Sequence, residues 1–392
     1  MKAATEGPDV VYLDYNATAP MRPEAVATVI DVMRSVGNAS SPHAPGRDAA
    51  RRVDVARRQL AELLNCSPGE IIFTAGATEA NNLALRAAHT IGHRLVTSRV
   101  EHPAVLETAR DLTKDLPASL VLLAVDRDGL VDPAELEHVL GDGSVGLVSL
   151  MAANNETGVL TDLDPVVKAA HAAGALVHTD ATQMIGRLPL DLAEVDVDLL
   201  SLSAHKFGGP QGVGALFVRR GAMLPFRPLL TGGGQERGWR AGTLNVAGIA
   251  GAGAAAAAAH RSFAEEARRI GRLRDLLEES LTAQVSACWI NGGRSPRLPG
   301  VSSVTFDGTP ADAVIAAMPG VAVSDGSACA SGAPTPSHVL LAMGLTREQA
   351  DSTVRFSLGY ATTEAEVIDA ADAVARAVRH VRTTMTSAHV ST

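Results

Sequence analysis

The chain has 392 residues, of which 46% are apolar and 20% charged, a composition typical of a globular protein with room for two domains. Lysines and arginines number 34 against 43 aspartates and glutamates, which gives a formal net charge of -9 and argues against the broad basic face that direct nucleic-acid binding requires. The N-terminal stretch lacks the apolar region of a signal peptide, and no apolar run reaches membrane-spanning length. We therefore predict a cytoplasmic protein without a membrane segment.

Short apolar runs alternate with helix-like segments between about residue 70 and residue 218. The runs are IIFT, RLVTS, LVLLAV, VGLVSLMAA, ALVHTD, VDLLSLS and VGALFV. Alternation of this kind predicts an α/β fold, with a mostly parallel sheet covered by helices on both faces. The last two runs are joined only by the segment HKFGGPQG, which favours an antiparallel pair at that point.

Helices are predicted on both sides of this region. Residues 40–64 carry apolar side chains at helical spacing among charges, which indicates a surface helix. Residues 248–286 are rich in strong helix formers and predict a long helix that connects a large domain to a smaller C-terminal one. Beyond it, SACWI, VSSVTF and TVRFSL predict strands, and EAEVIDAADAVARAVRHV predicts a closing helix. The polar residues 383–392 are predicted to be frayed.

Two polar residues follow apolar runs in a pairing that suggests a pyridoxal phosphate site. Lys206 ends the segment SAHK, and Asp180 begins DATQ. A lysine amine can hold the aldehyde cofactor as a Schiff base, while a carboxylate facing the pyridine nitrogen keeps that nitrogen protonated. For either residue alone, an exposed turn lysine or a helix cap is the ordinary interpretation, so the other motifs must decide.

Three further motifs stand where predicted strands end. Ala77 and Thr78 follow IIFT and open a helix, which indicates either a phosphate seat or a capping box. His102 follows RLVTS and could stack on a cofactor ring or relay a proton, although a lone histidine is usually structural. Asn155, in NNETG, could bond a phenolic oxygen or belong to an Asn-rich turn. Polar groups at the ends of successive strands are expected of a ligand site in an open α/β sheet.

Two segments downstream leave alternatives open. The glycine-rich loop at residues 232–243 offers main-chain N–H groups, two guanidinium groups and a hydroxyl, which indicates binding of an anion or of a neighbouring subunit. Arg355 lies on a strand-like run, where its carboxylate partner is either that of a substrate or that of a structural salt bridge.

The cysteines differ in their surroundings. Cys329 lies among small residues and prolines in the loop at about residues 324–338, which predicts an accessible thiol that can attack an activated sulfur. Cys66 and Cys288 have the surroundings of small core residues. None of the three has the spacing of a disulfide framework or a zinc site, so no metal is expected.

The motifs occur in a recognisable order: YLDYNATAP, GNASSPH, TAGATEANNLAL, EHPAV, NNETG, HTDATQ, SLSAHKFGGPQGVGAL, GGGQERGWRAGT, GSACASG and RFSLG. With them the chain resembles, from about residue 11 to 385, the cysteine desulfurases of the class V aminotransferase family, in the group with a longer, mobile cysteine loop. The resemblance implies the pyridoxal phosphate-dependent fold type I with a mostly parallel seven-stranded sheet. It also implies a large cofactor-binding domain at 16–258 and a smaller α+β domain at 259–392, on which residues 1–15 pack.

The resemblance further implies a homodimer that takes sulfur from L-cysteine, releases L-alanine and holds the sulfur as a persulfide on Cys329 for an acceptor protein. Lys206 would form the Schiff base and act as the base, Asp180 would pair with the pyridine nitrogen, and His102 would stack over the ring. The implied phosphate contacts are Ala77, Thr78, Ser203 and His205, joined by Thr243 from the partner subunit. Asn155 and Gln183 would bond the phenolic oxygen, and Asn38 and Arg355 would bind the substrate carboxylate.

Other interpretations remain open. A selenocysteine lyase or another pyridoxal phosphate-dependent lyase on the same fold would keep Lys206 and Asp180 without requiring Cys329. A catalytically silent scaffold that binds the cofactor or a partner is a second alternative. A nucleotide-binding protein is disfavoured, because neither GxGxxG after the first strand nor GxxxxGK[ST] occurs. Iron-sulfur cluster assembly, nucleic-acid thiolation and DNA phosphorothioation would all use the same catalytic core.

Overall fold

A computed structural model describes residues 10–89, 93–116, 119–222, 224, 228–325 and 335–390. The strands are β1 (Val11–Tyr12), β2 (Ile71–Thr74), β3 (Arg94–Ser98), β4 (Leu120–Leu123), β5 (Val145–Ser149), β6 (Leu176–Asp180), β7 (Leu199–Ser203), β8 (Gly214–Val218), β9 (Cys288–Ile290), β10 (Val301–Phe306), β11 (Val321–Ala322) and β12 (Thr353–Ser357). The helices are α1 (Pro23–Met33), α2 (Ala44–Leu64), α3 (Ala77–Ala88), α4 (Pro103–Thr113), α5 (Pro133–Gly141), α6 (Leu163–Ala172), α7 (Val246–Gln284), α8 (Ala311–Ala316), α9 (His338–Ala342), α10 (Arg347–Asp351) and α11 (Glu364–Val390).

The large sheet contains, within the described part of the chain, seven strands in the order β2-β8-β7-β6-β5-β3-β4. The strands from β7 to β4 run parallel, whereas β8 is antiparallel to both β7 and β2. The predictions of an α/β fold, a mostly parallel seven-stranded sheet and an antiparallel pair at its last two runs are confirmed. The strand order reverses between β3 and β5, which is where ligands bind in sheets of this kind.

Both faces of the large sheet are covered because its strands carry apolar residues on both sides. Ile71 and Phe73 of β2 join a core with α1, α2, α5, α6 and the first part of α7. Ile72, between them, joins a second core with α3 and α4. Successive side chains of a strand point to opposite faces, so a continuous apolar run produces a sheet buried on both sides.

A separate core lies in the C-terminal region. It contains residues of β10, β12, α8, α11 and the second part of α7, together with Leu13. The domain boundary predicted between residues 258 and 259 falls inside α7. This helix contributes Ala256 to the core that contains Ile71 and Phe73, and Ile270 to the C-terminal core. Strand β1 pairs with β11 beside this core. These contacts support the predicted domain limits, which stay a proposal.

The polar end of the chain is more ordered than predicted. Helix α11 continues to Val390, so the prediction of a frayed tail is wrong for residues 383–390. The hydroxyls of Thr383, Thr384 and Thr386 donate to carbonyls four residues earlier, so these polar side chains satisfy their hydrogen bonds without unwinding the helix. Across the described residues, no helix combines the length and apolar character needed to cross a membrane.

A buried histidine ties three central strands together. His178 on β6 is fully buried, with Nδ1 2.8 Å from Ser149 Oγ on β5 and Nε2 3.0 Å from Ser201 Oγ on β7. Burial lowers the pKa of His178 from 6.5 to about 4, so the ring is neutral at physiological pH. One ring nitrogen then donates and the other accepts, which matches a hydroxyl on each side.

We expect this histidine to make the fold sensitive to acid. Between pH 6.5 and about 4 the unfolded chain binds a proton at His178 that the folded chain does not bind, so stability is lost as the pH falls through this window. The pKa difference corresponds to roughly 3 kcal/mol of unfolding free energy. Denaturant unfolding at several pH values should show a shallower loss for His178→Gln than for the parent. Equal slopes for the two proteins would contradict this account.

Candidate functional site

A cavity of about 310 Å³ opens at the carboxyl ends of the large sheet's strands, on both sides of the point where the strand order reverses. Nine of the residues predicted from the sequence line it: Ala77, Thr78, His102, Asn155, Asp180, Gln183, Ser203, His205 and Lys206. They come from the last residues of β6 and β7 and from the segments that follow β2, β3, β5, β6 and β7. These segments meet because the carboxyl ends of parallel strands share one edge, and β2, two antiparallel steps from β7, runs in the same direction.

One end of the cavity is built to receive an anion. Helix α3 begins there, and its N-cap residue, Gly76, provides no side-chain cap for the first N–H groups of the helix. Those N–H groups and the helix dipole attract negative charge. Ser203 and His205 line the same cavity. A Cβ on Gly214 of β8 would lie 2.6 Å from the main chain of Gly76, so glycine at 214 is required for the close approach of β8 to this seat.

Asp180 presents a fixed carboxylate at the end of β6. Its Oδ2 accepts a hydrogen bond of 2.7 Å from Asn81 Nδ2, and its Oδ1 accepts one of 3.0 Å from the main-chain N–H of Thr182. The residue is only 6% exposed, so its remaining lone pairs are available mainly to a group inside the cavity. A protonated pyridine nitrogen is a donor that suits this position.

His102 is held as a neutral ring at the start of α4. Its Nδ1 accepts a hydrogen bond of 3.0 Å from the main-chain N–H of Ala104, so that nitrogen carries no proton and the proton lies on Nε2. Burial lowers the pKa of His102, and the neighbouring charge of Lys206 lowers it further, against the opposing effect of Asp180. A neutral imidazole of this kind is suited to stacking on an aromatic ring.

Lys206 lies in the 3₁₀ turn Ala204–Lys206 that follows β7, and its amine contacts main-chain oxygens. Nζ donates to the carbonyl of Asn16 and, at 2.9 Å, to that of Ala17. Beside it, burial lowers the pKa of His205 to about 4, with further lowering by Lys206 and Arg187. His205 is therefore neutral at physiological pH. Lys206, the next residue, brings a primary amine to the cavity lining.

Two amides that line the cavity carry unsatisfied atoms. Asn155 Oδ1 and Gln183 Oε1 are buried and, within the described residues, have no hydrogen-bond partner. Buried amides are normally paired, so unsatisfied ones at a cavity indicate a place for a polar ligand group. The anion seat, the fixed carboxylate, the neutral imidazole, the amine and these amides together fit pyridoxal phosphate in charge and in hydrogen-bonding character.

Two predicted substrate contacts lie outside this cavity. Arg355 on β12 is 4% exposed, and its guanidinium donates to Asp14 Oδ1 at 2.8 Å and to the carbonyl of Asn155 at 3.1 Å. The structural salt bridge considered for Arg355 is therefore present, while its Nε has no partner among the described residues. Asn38 is exposed and bonds the main-chain N–H of Ser40 through Oδ1.

The two remaining predicted residues belong to loops. Thr243 is exposed and does not line the cavity of its own chain. Cys329 lies outside the described residues. The other cysteines are partly buried, and burial raises the pKa of the Cys66 thiol to about 12 and also raises that of Cys288.

The sequence interpretation missed several residues that shape the site. Asn81 was not assigned, although it lies four residues after Ala77 on the same face of α3, a spacing that predicts its position beside the cavity. Glu101 is 1% exposed and accepts hydrogen bonds of 2.9 Å from Ser98 Oγ and from the N–H of Met151, a cavity residue. Burial raises the pKa of Glu101 to about 8. Asn16, which accepts from Lys206, gave no chemical signal in the sequence.

Comparison with known proteins also indicates a pyridoxal phosphate enzyme. The family model described as Aminotransferase class-V matches residues 11–369. A cysteine desulfurase from Frankia sp. (strain EuIK1) is 46% identical over 387 residues, covering 95% of this chain and 92% of that protein. The chain belongs to the cysteine desulfurases of the class-V aminotransferase family. Its recognition from sequence motifs is confirmed, as are its classification as a cysteine desulfurase and its dependence on pyridoxal phosphate.

Other members of the family agree. The cysteine desulfurase IscS of Anaeromyxobacter sp. (strain Fw109-5) is 42% identical over 378 residues, with 95% of this chain and 93% of that one covered. A solved structure of a NifS-like protein has a TM-score of 0.86 at 36% identity, covering 94% of this chain and 98% of the other. DndA from Streptomyces lividans has a TM-score of 0.75 at 35% identity, with 89% and 99% covered. The predicted fold type is confirmed by these structures.

Proposed function

We propose that the protein converts L-cysteine to L-alanine and moves the sulfur to Cys329, from which an acceptor protein takes it. The observation that carries the proposal is the meeting of Lys206, Asp180 and His102 in one cavity beside an anion seat. Bound there, pyridoxal phosphate supplies an aldehyde and an electron-accepting ring that ease loss of a proton from the substrate Cα. The N-terminus of α3, with Ala77, Thr78, Ser203 and His205, would hold its phosphate.

Each residue of the site would then have a separate role in the reaction. Lys206 would hold the cofactor through its aldehyde and would take the proton from the substrate Cα. Asp180 would keep the pyridine nitrogen protonated, His102 would pack on the ring, and Asn155 and Gln183 would bond the phenolic oxygen. The Cys329 thiolate forms a bond to the substrate sulfur as the bond between that sulfur and Cβ breaks. Cβ takes a proton in place of the sulfur, Cα regains the proton that it lost, and the product is released as alanine.

The chain on both sides of residues 326–334 contacts Arg355 and Glu156, which lie next to the cavity residue Asn155. Ser324 exchanges main-chain hydrogen bonds with Arg355, and Ser337 donates from Oγ to the carboxylate of Glu156. Glu156 directly follows Asn155, which lines the cavity. These contacts support the assignment of Cys329 as the sulfur acceptor, because both ends of its segment are fixed near the place where the substrate would bind. We propose that Arg355, which donates to the carbonyl of the cavity residue Asn155, receives the substrate carboxylate together with Asn38.

Equal yields of two products test the proposed reaction. With L-cysteine and a reductant, the cofactor-loaded protein should release alanine and sulfide in a one-to-one ratio, because one C–S bond is broken for each alanine formed. Pyruvate and ammonia in place of alanine would indicate a β-eliminating lyase. Absence of every product, with the cofactor bound, would favour the silent scaffold. The same assay with selenocysteine would identify a selenocysteine lyase if only that substrate reacted.

We further propose that two copies of the chain form the enzyme and that Thr243 completes the phosphate site of the partner. The loop that carries Thr243 is anchored to its own subunit. Glu236 accepts hydrogen bonds from Arg57 and, at 2.8 Å, from the N–H of Phe73. Arg240 donates to Glu79, on the first turn of α3, at 2.9 Å. These anchors hold the loop in place and leave Thr243 exposed.

Mixed subunits test this contact. Thr243→Ala should lower cofactor affinity by roughly tenfold, the value of one hydrogen bond to a charged group, and Lys206→Ala should be inactive. After subunit exchange between the two variants, a mixed dimer contains one site with both residues, so tight cofactor binding and sulfide release should return. Activity that stays at the level of the unmixed proteins would contradict the cross-subunit role. The acceptor pathway and the cytoplasmic location stay predictions.

A further inference from the structure

Asn16 connects the catalytic lysine to the rest of the cavity wall. It is 1% exposed and lies in the YLDYNATAP motif, to which the proposed function assigns no role. Its carbonyl accepts from Lys206 Nζ and, at 3.1 Å, from Gln183 Nε2. Its side-chain Nδ2 donates to the carbonyl of Asn155 at 2.9 Å. The position of this residue therefore fixes one of the two main-chain carbonyls that the lysine amine contacts, the other being that of Ala17.

Arg187 supports Asn16 from the other side. Its guanidinium donates to Asn16 Oδ1, to the carbonyl of Tyr15 at 2.9 Å and to the carbonyl of Lys206 at 3.3 Å. These partners are carbonyl and amide oxygens, and among the described residues no carboxylate forms an ion pair with Arg187. Burial lowers the pKa of Arg187 to about 10, so it stays a cation at neutral pH.

We propose that Arg187 is a positioning residue for Lys206: through Asn16 it fixes the amine, and its positive charge favours the form of that amine without the extra proton. The inference rests on the proposed role of Lys206 as the residue that bonds the cofactor. A like charge nearby disfavours protonation, and an amine must be free of its extra proton to bond an aldehyde or to accept a proton from carbon. The charge of Arg187 is effective because no ion pair offsets it.

The other charged groups around Lys206 leave this role to Arg187. His205 on the same turn and His102 at the start of α4 both have lowered pKa values and are neutral near pH 7. Asp180 of β6 is the opposing negative charge, but it is already bonded by two donors. Arg355 of β12 adds positive charge and is paired with Asp14. Arg187 thus supplies a cation that contacts the main chain of Lys206 without an acidic partner.

The test uses the full-length, cofactor-loaded protein and three variants. Arg187→Met removes the charge and the donors, and Arg187→Lys keeps the charge but loses the forked geometry. Arg219→Met is the matched control, because the Arg219 guanidinium also donates to main-chain carbonyls, those of Leu192, Val195 and Val197, and does not line the cavity. The visible absorbance of the cofactor bonded to Lys206 is titrated with pH, and kcat and KM are measured separately.

In Arg187→Met the midpoint of the spectral titration should move about one unit to higher pH, and kcat should fall about tenfold or more while KM changes little. In Arg187→Lys the midpoint should stay close to that of the parent while kcat still falls, because charge is kept and position is lost. Arg219→Met should match the parent in both.

An unchanged midpoint in folded, loaded Arg187→Met would overturn the inference. If that variant does not fold or load, Arg187→Lys decides, since a shifted midpoint or an unchanged kcat there contradicts the proposal. The spectral midpoint can be measured on any protein that binds the cofactor, whether or not it turns over cysteine. A parent protein without desulfurase activity would contradict the proposed function, and the midpoints of the parent and Arg187→Met could still be compared.

Discussion

Lys206→Ala is expected to abolish desulfuration of L-cysteine, with a loss of roughly 1000-fold or more in sulfide release. Lys206 is the amine that we assign to bond the cofactor and to move the substrate proton. Among the described residues that line the cavity, none can replace a group with both tasks. His102 and His205, its titratable neighbours, cannot bond an aldehyde as a lysine does. The variant should also lose the visible absorbance of the lysine-bound cofactor.

A surface lysine provides the control for this variant. Lys168 lies on α6, forms an exposed ion pair of 2.6 Å with Asp164, and does not line the cavity. Exposed pairs of this kind contribute about 1 kcal/mol or less to stability, so Lys168→Ala should keep the parent activity. A Lys206→Ala protein that retained more than about a tenth of the parent rate would exclude the assigned base.

Cys329→Ser is expected to stop sulfide release almost completely, although cysteine should still bind and perturb the cofactor spectrum. A serine hydroxyl is not ionised at neutral pH and forms no persulfide, so the sulfur of the substrate has no acceptor. The loss should again reach roughly 1000-fold, because a nucleophile is removed and not merely weakened.

The other cysteines are matched controls for Cys329. The pKa of Cys66 is raised to about 12 by burial, and Cys288 donates a hydrogen bond of 3.1 Å to the carbonyl of Val285, so both thiols stay protonated. Cys66→Ser and Cys288→Ser should each keep sulfide release near the parent rate. Sulfide release by Cys329→Ser at the parent rate would instead identify a direct lyase that does not form a persulfide.

Much of the site could be predicted because it follows the ends of strands. Each apolar run in the sequence ended in polar residues, and a parallel sheet brings such ends to one edge, which is why His102, Asn155, Asp180 and Lys206 meet in one cavity. The spacing of these residues along the chain carries no information on their distances. Which of these residues are close in space depends on the strand order of the sheet, in which β3 lies beside β5 and β6 lies beside β7.

Residues that act across long stretches of chain escaped prediction. Asn16 contacts Arg187 and Lys206, far downstream in sequence, and an asparagine in an N-terminal segment has no periodicity that reveals such partners. A structural salt bridge was considered for Arg355, but its partner Asp14 was not identified, since the pair joins β12 to the segment after β1. The helical end of α11 escaped for a different reason, because threonine hydroxyls that bond within the helix offset their low helix propensity.

The most direct test of the central claim is the mass of the peptide that contains Cys329 after the cofactor-loaded protein reacts with L-cysteine in the absence of reductant and acceptor. The account predicts that this peptide gains one sulfur atom, that the gain matches the alanine formed in the first turnover, and that the peptides of Cys66 and Cys288 are unchanged. Alanine formed in the same amount while the Cys329 peptide keeps its original mass would contradict the transfer of sulfur to this residue.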